Sequence, residues 1–224
     1  MCRAAYVLVA VPLVLAAACG DKVNGVAGIS NVPTVGAIVR FANATDTPIN
    51  ITNGAIVADT GVVFGAQSVC LNVSVASTGG LVFTNVNNGT TIGFAPSFTV
   101  GGRFTVIAFT DASGAIRFAT LNSEFTPTSG DAGLRMFDAV SAIPFATVLV
   151  NAVPIDGAAA FGTANQFSSI PGVAANIMFD NEDGTTLFLD DGAVTFTAGP
   201  SQTIVFGPPA PGATTFRAFL VNGC

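Results

Sequence analysis

The sequence contains the same succession of motifs twice, and this internal repeat constrains the fold more than any other feature. The stretch IVRFANA (Ile38 to Ala44) recurs as GLRMFDA (Gly133 to Ala139). Four more matches follow in the same order: VFGAQ with AFGTA, VFTNVNNGTT with MFDNEDGTT, FTVGGRFTVIAF with FTAGPSQTIVF, and AIRFATLN with TFRAFLVN. Collinear matches at offsets of 95 to 100 positions predict a tandem duplication. The predicted units are repeat 1 at 36–126 and repeat 2 at 127–224.

Each repeat has the pattern of a series of short β-strands. Runs such as VCLNVSV, LVFTNV and RFTVIAF recur every 10 to 15 residues, with Gly, Asn, Asp or Pro between them. The chain is 50% apolar and holds 25 Gly and 12 Pro, which favours strands and turns over long helices. About seven short strands per repeat predict an all-β fold made of two tandem β-sandwich domains.

The strand RFTVIAF predicts a contact between the repeats. One of its faces carries Phe104, Val106 and Ala108, and the other carries Arg103, Thr105, Ile107 and Phe109. Because apolar residues lie on both faces, we expect both to be covered, so that the repeats pack as one elongated unit.

The first nineteen residues, MCRAAYVLVAVPLVLAAAC, have the features of an export signal. Arg3 precedes an uncharged apolar run that is shorter than the roughly 20 residues of a spanning helix. The ending LAAAC resembles the lipobox of bacterial lipoproteins, which implies a signal peptide at 1–18, lipidation of Cys19 and a flexible tether at 19–35. Gly20, where retained lipoproteins have aspartate, implies sorting to the outer membrane. An ordinary secretory signal and an uncleaved anchor are the alternatives.

The charge balance argues against nucleic acid as a partner. Without Arg3, six basic residues face 13 acidic ones, and Lys22 is the only lysine. Binding to phosphates or to anionic lipid surfaces needs clustered Lys and Arg. We therefore expect contact with the membrane through the N-terminal lipid, and a protein or glycan of the cell envelope as any further partner.

Cys70 and Cys224 remain once the signal residue Cys2 and the lipidated Cys19 are set aside. An even pair in an oxidising compartment is a disulfide candidate. Two separate thiols are the alternative, because sequence alone does not supply the geometry that a disulfide requires.

The stretch FDNEDGTT is the most charged short run of the sequence and the candidate metal or ligand loop. Its acids, together with two that follow closely, are Asp180, Glu182, Asp183, Asp190 and Asp191. An EF-hand is excluded, because the spacing would place Phe179 at the first ligand position. A nonstandard site that uses these acids stays open.

The same turn in repeat 1, FTNVNNGTT, has no acids, so the feature that both repeats share is a hairpin. We expect type I′ turns at Asn88-Gly89 and at Asp183-Gly184. Asp190-Asp191-Gly192 is interpreted as the next turn, before the strand AVTFT.

Motifs of enzymes are missing from the sequence. It has no histidine, no G-x-S-x-G elbow, no P-loop and no dinucleotide-binding motif. These observations exclude a conventional nucleophilic triad and a histidine metal site. Paired carboxylates in repeat 2 would still need a cleft to act as a hydrolase. We therefore expect no catalytic residues and no cofactor.

Arginines also recur at matching positions, Arg40 with Arg135 and Arg117 with Arg217. A twinned anion site is one interpretation. We instead expect each arginine on the solvent face of its strand, or paired with a nearby acid such as Asp138.

The repeats resemble a family of bacterial proteins designated domain of unknown function 4397. Its copies begin with an R-hydrophobic-x-N/D-A strand, here RFANA from Arg40 and RMFDA from Arg135. They later carry a hydrophobic-T-x-G-x-x-x-T-hydrophobic pattern, here from Phe98 and from Phe196. The resemblance implies an immunoglobulin-like sandwich in each repeat and an exported or lipid-anchored protein, and it implies no activity.

Together these patterns predict a non-enzymatic, membrane-anchored lipoprotein of the cell envelope that serves as a binding or structural module. A carbohydrate- or peptide-binding surface lipoprotein is the first alternative. A carboxylate-dependent hydrolase is the second.

Overall fold

The computed structural model describes residues 36–75, 80–184 and 186–224, which form strands and turns without any helix. The predicted all-β sandwich fold is thereby confirmed. Within these residues there is also no helix that is long and apolar enough to cross a membrane. The predicted signal peptide at 1–18, the lipidated Cys19 and the tether at 19–35 lie outside the described residues.

Repeat 1 forms two four-stranded sheets, with the strand orders β4-β1-β7-β8 and β3-β2-β5-β6. The pairing of β1 with β7 is parallel, and the other pairs are antiparallel. The strands are β1 (Gly36–Asn43), β2 (Ile49–Asn53), β3 (Ile56–Val62), β4 (Leu71–Ser74), β5 (Leu81–Asn85), β6 (Thr91–Ile92), β7 (Arg103–Thr110) and β8 (Ile116–Asn122).

Repeat 2 has the same arrangement, with one sheet in the order β13-β9-β16-β17 and the other in the order β11-β10-β14-β15, where β12 also pairs with β10. Again one pair is parallel, β9 with β16. The strands are β9 (Asp131–Asp138), β10 (Phe145–Val150), β11 (Val153–Pro154), β12 (Ala159–Ala160), β13 (Ser168–Pro171), β14 (Ala174–Asn181), β15 (Leu187–Thr195), β16 (Ser201–Gly207) and β17 (Arg217–Asn222). Strands β1, β7 and β8 therefore correspond to β9, β16 and β17.

Each pair of sheets encloses its own apolar core, because alternate side chains of every strand point to the same face. In repeat 1, Phe41 of β1 and Phe83 of β5 meet between the sheets, with ring centroids 5.0 Å apart. In repeat 2, Phe179 of β14 stacks on Phe206 of β16 at 4.9 Å. These aromatic contacts connect the two sheets of each sandwich.

The sandwiches pack against each other through a third apolar cluster, which we call the seam. Its buried members come from the sheets that contain β1 and β9 and from the residues directly after these two strands, and they are Ala42, Ala44, Ile107, Phe109, Phe137, Ala139, Val205 and Val221. Strand β7 divides as its alternation predicts, since Val106 and Ala108 point into the core of repeat 1 while Ile107 and Phe109 point into the seam. The predicted contact between the repeats is thus present.

Arg40 and Arg135 show that the two repeats are related by an approximate two-fold axis. Arg40 Nη1 donates to the carbonyl oxygen of Asn222 in repeat 2 at 2.9 Å. Arg135 Nη1 donates to the carbonyl oxygen of Asn122 in repeat 1 at 2.7 Å. Because Asn122 and Asn222 occupy equivalent positions, each repeat makes the same contact with the other, as the subunits of a symmetric dimer do.

The expectation that Arg135 lies on a solvent face or pairs with Asp138 is wrong. Its side chain extends from the face of β9 that the seam covers, and only 6% of the residue is exposed. Arg117 and Arg217 do pair with acids, Asp111 at 2.7 Å and Asp46 at 2.8 Å, respectively. Arg117 is therefore an exposed residue that pairs within repeat 1, whereas Arg217 pairs across the repeats and lies over the Phe64 ring of repeat 1.

A disulfide joins Cys70 of repeat 1 to Cys224 of repeat 2, with Cα atoms 5.9 Å apart. It lies beside Arg40, whose Nη2 is 3.0 Å from Cys70 Sγ. The candidate pair is therefore bonded, and the bond connects the two repeats at the edge of the seam.

The hairpins at the predicted Asn-Gly and Asp-Gly positions are present, but their turn type is not I′. Backbone hydrogen bonds close the loops between Asn85 and Thr90 and between Asn181 and Thr186, which leaves four residues in each loop. Within each dipeptide, only the glycine has a positive φ, which is 70° at Gly89 and 70° at Gly184. Four-residue loops need fewer left-handed residues than the two-residue type I′ loop.

The turn predicted at Asp190-Asp191-Gly192 is wrong, because all three residues lie inside β15. Asp190 faces Met178 and Gly192 faces Ile177 on β14, so Asp191 is the extra residue of a β-bulge. Gly192 has a φ of 72°, which a bulge accommodates as readily as a turn does.

Candidate functional site: an acidic cavity at one end of repeat 2

An acid-lined cavity of about 410 Å³ lies beside the β14–β15 hairpin. Four carboxylates border it, from Asp156, Asp180, Glu182 and Asp183. The rest of the lining is small or apolar: Thr147, Pro154, Gly157, Ala158 and Gly184. A volume of this size accommodates a small organic group or a side chain of a partner.

Two hairpins supply these acids. Asp180 lies near the end of β14, opposite Thr147 of β10. Glu182 and Asp183 lie in the loop that follows β14, where the backbone leaves the sheet. Asp156 follows β11 and has a positive φ of 48°, and its carboxylate accepts a hydrogen bond from the Gln166 N–H at 2.7 Å. The sheet thus fixes Asp180, whereas loops carry the other three.

Asp180 is the acid whose surroundings most clearly need a ligand. It is only 8% exposed, and its Oδ1 has no hydrogen-bond partner. Burial, and then the charge of Asp183, raise the pKa of Asp180. A buried acceptor without a donor is unfavourable by about 1 to 3 kcal/mol, so a cationic donor that enters the cavity would be stabilised there.

Repeat 1 has no counterpart of this acid. In repeat 2, Thr147 of β10 is opposite Asp180 of β14. On the equivalent strands of repeat 1, Asn50 of β2 is opposite Thr84 of β5. The acid at this position therefore belongs to repeat 2 alone, and the duplicated scaffold does not require it.

The structure brings together three of the five acids that the sequence singles out. Asp180, Glu182 and Asp183 line the cavity, whereas Asp190 and Asp191 lie at the β15 bulge and do not. At the bulge, burial and the charge of Asp190 raise the pKa of Asp191. Sequence reasoning missed Asp156, whose only local signal is an Asp-Gly pair of the kind found in any turn.

Metal coordination does not follow from this arrangement. Throughout the part of the chain that the structure describes, no three His, Cys, Asp or Glu residues form a group that could hold a metal ion. Calcium needs six to eight oxygen ligands at short distance. The cavity instead suits an ammonium or guanidinium group, which several carboxylates can neutralise without a fixed coordination shell.

A second cavity, of about 390 Å³, borders the same hairpin and shares Glu182 and Asp183 with the first. Its apolar lining comes from Ala142, Ile143, Pro144, Phe145 and Phe188. Phe145 is 46% exposed there. Acidic and apolar cavities that share two carboxylates match a ligand in which a cation is attached to an apolar stem.

Comparison with known proteins adds no relationship. No protein-family model matches this chain, and no curated protein matches it. The resemblance of the repeats to domain of unknown function 4397 stays a prediction.

Proposed function

We propose that this protein is a non-enzymatic binding module of the bacterial cell envelope, anchored at the outer membrane through a lipid on Cys19, which binds a basic peptide segment of another envelope protein. The observation that carries the proposal is Asp180, a buried carboxylate in a cavity with three more acids and without a partner for its Oδ1.

A basic segment fits both cavities at the hairpin. The ammonium or guanidinium group enters between Asp180 and the loop acids, and the alkyl stem or a neighbouring apolar side chain rests on Phe145 and Phe188. The tether predicted at 19–35 would span about 20 to 25 Å on average between the membrane anchor and the first sandwich. Partners close to the membrane are therefore within reach.

Binding is tested with two variants that remove the same charge from different places. Glu182→Gln/Asp183→Asn neutralises two acids of the cavity, and Asp190→Asn/Asp191→Asn neutralises two at the bulge. Hexalysine binding, measured by fluorescence anisotropy at about 0.15 M salt, is expected to weaken about fivefold or more in the cavity variant and less than about twofold in the bulge variant. Equal losses in both would show long-range charge attraction and contradict the proposal.

Anchoring is tested separately by mass spectrometry of the N-terminal peptide from detergent-extracted membranes. We expect a lipidated Cys19 at the new N-terminus, and release of the protein from membranes in Cys19→Ala. An uncleaved or unmodified N-terminus would overturn the anchoring and leave the result of the peptide assay unaffected.

A further inference from the structure

The approximate two-fold axis creates two equivalent sites in the seam, and the residues that occupy them differ. The first seam site surrounds Arg40, and the second seam site surrounds Arg135. Matching contacts establish their equivalence: Gln67 forms a β-bridge with Ala42 at the first, and Ala164 forms one with Phe137 at the second.

Protein atoms fill the first seam site. The side-chain oxygen of Gln67 accepts from Arg40 Nη1 at 3.3 Å and from the Asn222 N–H at 3.1 Å. The disulfide between Cys70 and Cys224 occupies the space beside them. Arg40 Nη1 and the strand N–H therefore share an acceptor, while Arg40 Nε has none.

At the second seam site the three filling residues are replaced. Ala164 stands where the first site has Gln67, Phe167 stands in place of Cys70, and Glu124 stands in place of Cys224. Ala164 has no acceptor to offer to the arginine or to the N–H of Asn122. A cavity of about 480 Å³ remains, and Arg135, Asn122, Glu124 and Phe167 are among its lining residues.

Arg135 is a buried cation that the protein neutralises incompletely. Its Nε donates to Thr203 Oγ1 at 3.0 Å, and its guanidinium lies 4.2 Å from the centre of the Phe167 ring. Its Nη2 has no hydrogen-bond partner, and neither of the ion pairs among the described residues involves Arg135. Burial lowers the pKa of Arg135 to about 10, so the group is charged at neutral pH. An anionic acceptor is therefore the missing component.

The cavity also limits which anion can enter. The carboxylates of Glu124 and Asp156 line it together with the amide side chains of Asn165 and Gln166. Two acids beside one arginine repel a simple anion such as acetate, whereas they attract a ligand that carries its own cation.

We propose that the second seam site binds a small zwitterion, either a free amino acid or a short free peptide. Its carboxylate accepts from Arg135 and from the N–H of Asn122, where the amide oxygen of Gln67 lies at the first site, and its ammonium group faces Glu124 and Asp156. The site adjoins the acidic cavity at the β14–β15 hairpin and shares Asp156 with it, whereas Arg135, Asn122 and Glu124 are not among the residues that line that cavity.

Thermal unfolding of the intact, disulfide-bonded protein with millimolar probes tests this assignment. The probes are the individual L-amino acids, free trialanine, its N-acetylated and C-amidated forms, acetate and methylammonium. A zwitterionic probe is expected to raise Tm by several degrees through binding to the native state, and acetate or methylammonium alone is not. Stabilisation by amino acids identifies a free amino acid as the ligand, and stabilisation by free trialanine alone identifies a short free peptide. No shift with any zwitterion would overturn the proposal.

A substitution that gives the second seam site the acceptor of the first provides the sharper test. Ala164→Gln introduces the acceptor that Gln67 provides at the first site, so we expect the apo protein to become more stable and the zwitterion to bind at least about tenfold more weakly. Glu124→Gln is expected to weaken binding of the zwitterion without changing the Tm of the apo protein by more than a degree or so.

Gln67→Ala is the matched control, because it opens the same space at the first site and leaves the second untouched. It is expected to lower the Tm of the apo protein while zwitterion binding remains within about twofold of wild type. Unchanged binding in Ala164→Gln, or an equal loss in Gln67→Ala, would show that the ligand does not occupy the second seam site.

Discussion

At the residue scale, the duplication allows a buried polar side chain of one repeat to be compared with the residue at the equivalent position of the other repeat. Asn43 is fully buried, and its amide nitrogen donates to the carbonyl oxygens of Thr47 at 2.9 Å and Val62 at 2.7 Å. Asp138 occupies the equivalent position in repeat 2, where its Oδ1 accepts from the Val140 N–H at 2.8 Å and its Oδ2 has no partner. An acid has replaced an amide at a place that favours a donor.

This replacement makes stability depend on pH. Burial raises the pKa of Asp138 to about 7, against the opposing hydrogen bond from Val140. The folded protein therefore keeps the proton up to about pH 7, while the unfolded chain releases it near the ordinary aspartate pKa of 3.8, so stability falls as pH rises between these values.

Asp138→Asn should remove this dependence. We expect the variant to be more stable than wild type by about 4 kcal/mol at pH 8, and to differ little near pH 4, because only the charged carboxylate is penalised. Urea unfolding at both pH values measures the difference. Asn43→Asp, as a control, should introduce a similar loss at pH 8, and a parallel pH profile for Asp138→Asn and wild type would contradict the expectation.

At the element scale, strand existence and strand faces could be read from the sequence, whereas turn geometry could not. The alternation in β7 assigned Val106 to one core and Ile107 to the other side correctly, because side-chain direction depends only on local backbone geometry. The sequence predicts a turn at Gly192, whereas in the structure this glycine lies in a β-bulge. Both structures use a left-handed glycine, and only the partner strand decides between them.

The candidate site was predictable to the same limited extent. Asp180, Glu182 and Asp183 are neighbours in sequence, so their grouping needed no tertiary information. Asp156 reaches the cavity from another hairpin, and Arg135 becomes buried only when a second sandwich covers its strand. Such contacts depend on the register of distant strands, which local patterns do not encode.

The β10–β11 hairpin is a turn that the sequence conceals, since it lacks glycine. Asn151 and Ala152 both have positive φ, 51° and 63°, as a type I′ turn requires. Ala152→Gly should therefore stabilise the protein by about 1 kcal/mol, because glycine adopts the left-handed conformation without the steric clash of an alanine Cβ. Gly192→Ala, at a φ of 72° in the bulge, should lower stability by a similar amount. Chemical denaturation of both variants checks the pair, and the same sign for both would contradict the assignment.

At the scale of the whole molecule, the seam converts two sandwiches into one body. Phe137 and Val205 of repeat 2 are fully buried against Ile107 and Phe109 of repeat 1, and the Phe109 and Phe137 rings are 5.6 Å apart. An interface with two-fold symmetry and an apolar centre resembles that of a homodimer whose subunits have been joined in one chain. Covalent and noncovalent links between the repeats are thus both present.

The disulfide and the seam should contribute separately to stability. The bond between Cys70 and Cys224 spans a sequence separation of 154 residues, so its loss in Cys70→Ser/Cys224→Ser should lower the free energy of unfolding by about 5 kcal/mol. Unfolding should nevertheless remain a single transition, because the seam keeps the repeats coupled. Phe137→Ala, which opens a cavity in the seam, should lower stability by about 3 to 5 kcal/mol with the disulfide intact.

Urea unfolding followed by circular dichroism, together with hydrogen exchange resolved by repeat, measures both effects. Wild type reduced with a thiol reagent is the control for the double serine variant and should show the same midpoint. If removal of the bond alone separates the unfolding of repeat 1 from that of repeat 2, the disulfide rather than the seam couples them. If the repeats still exchange together, the apolar seam is sufficient, and the bond acts mainly by restricting the unfolded chain.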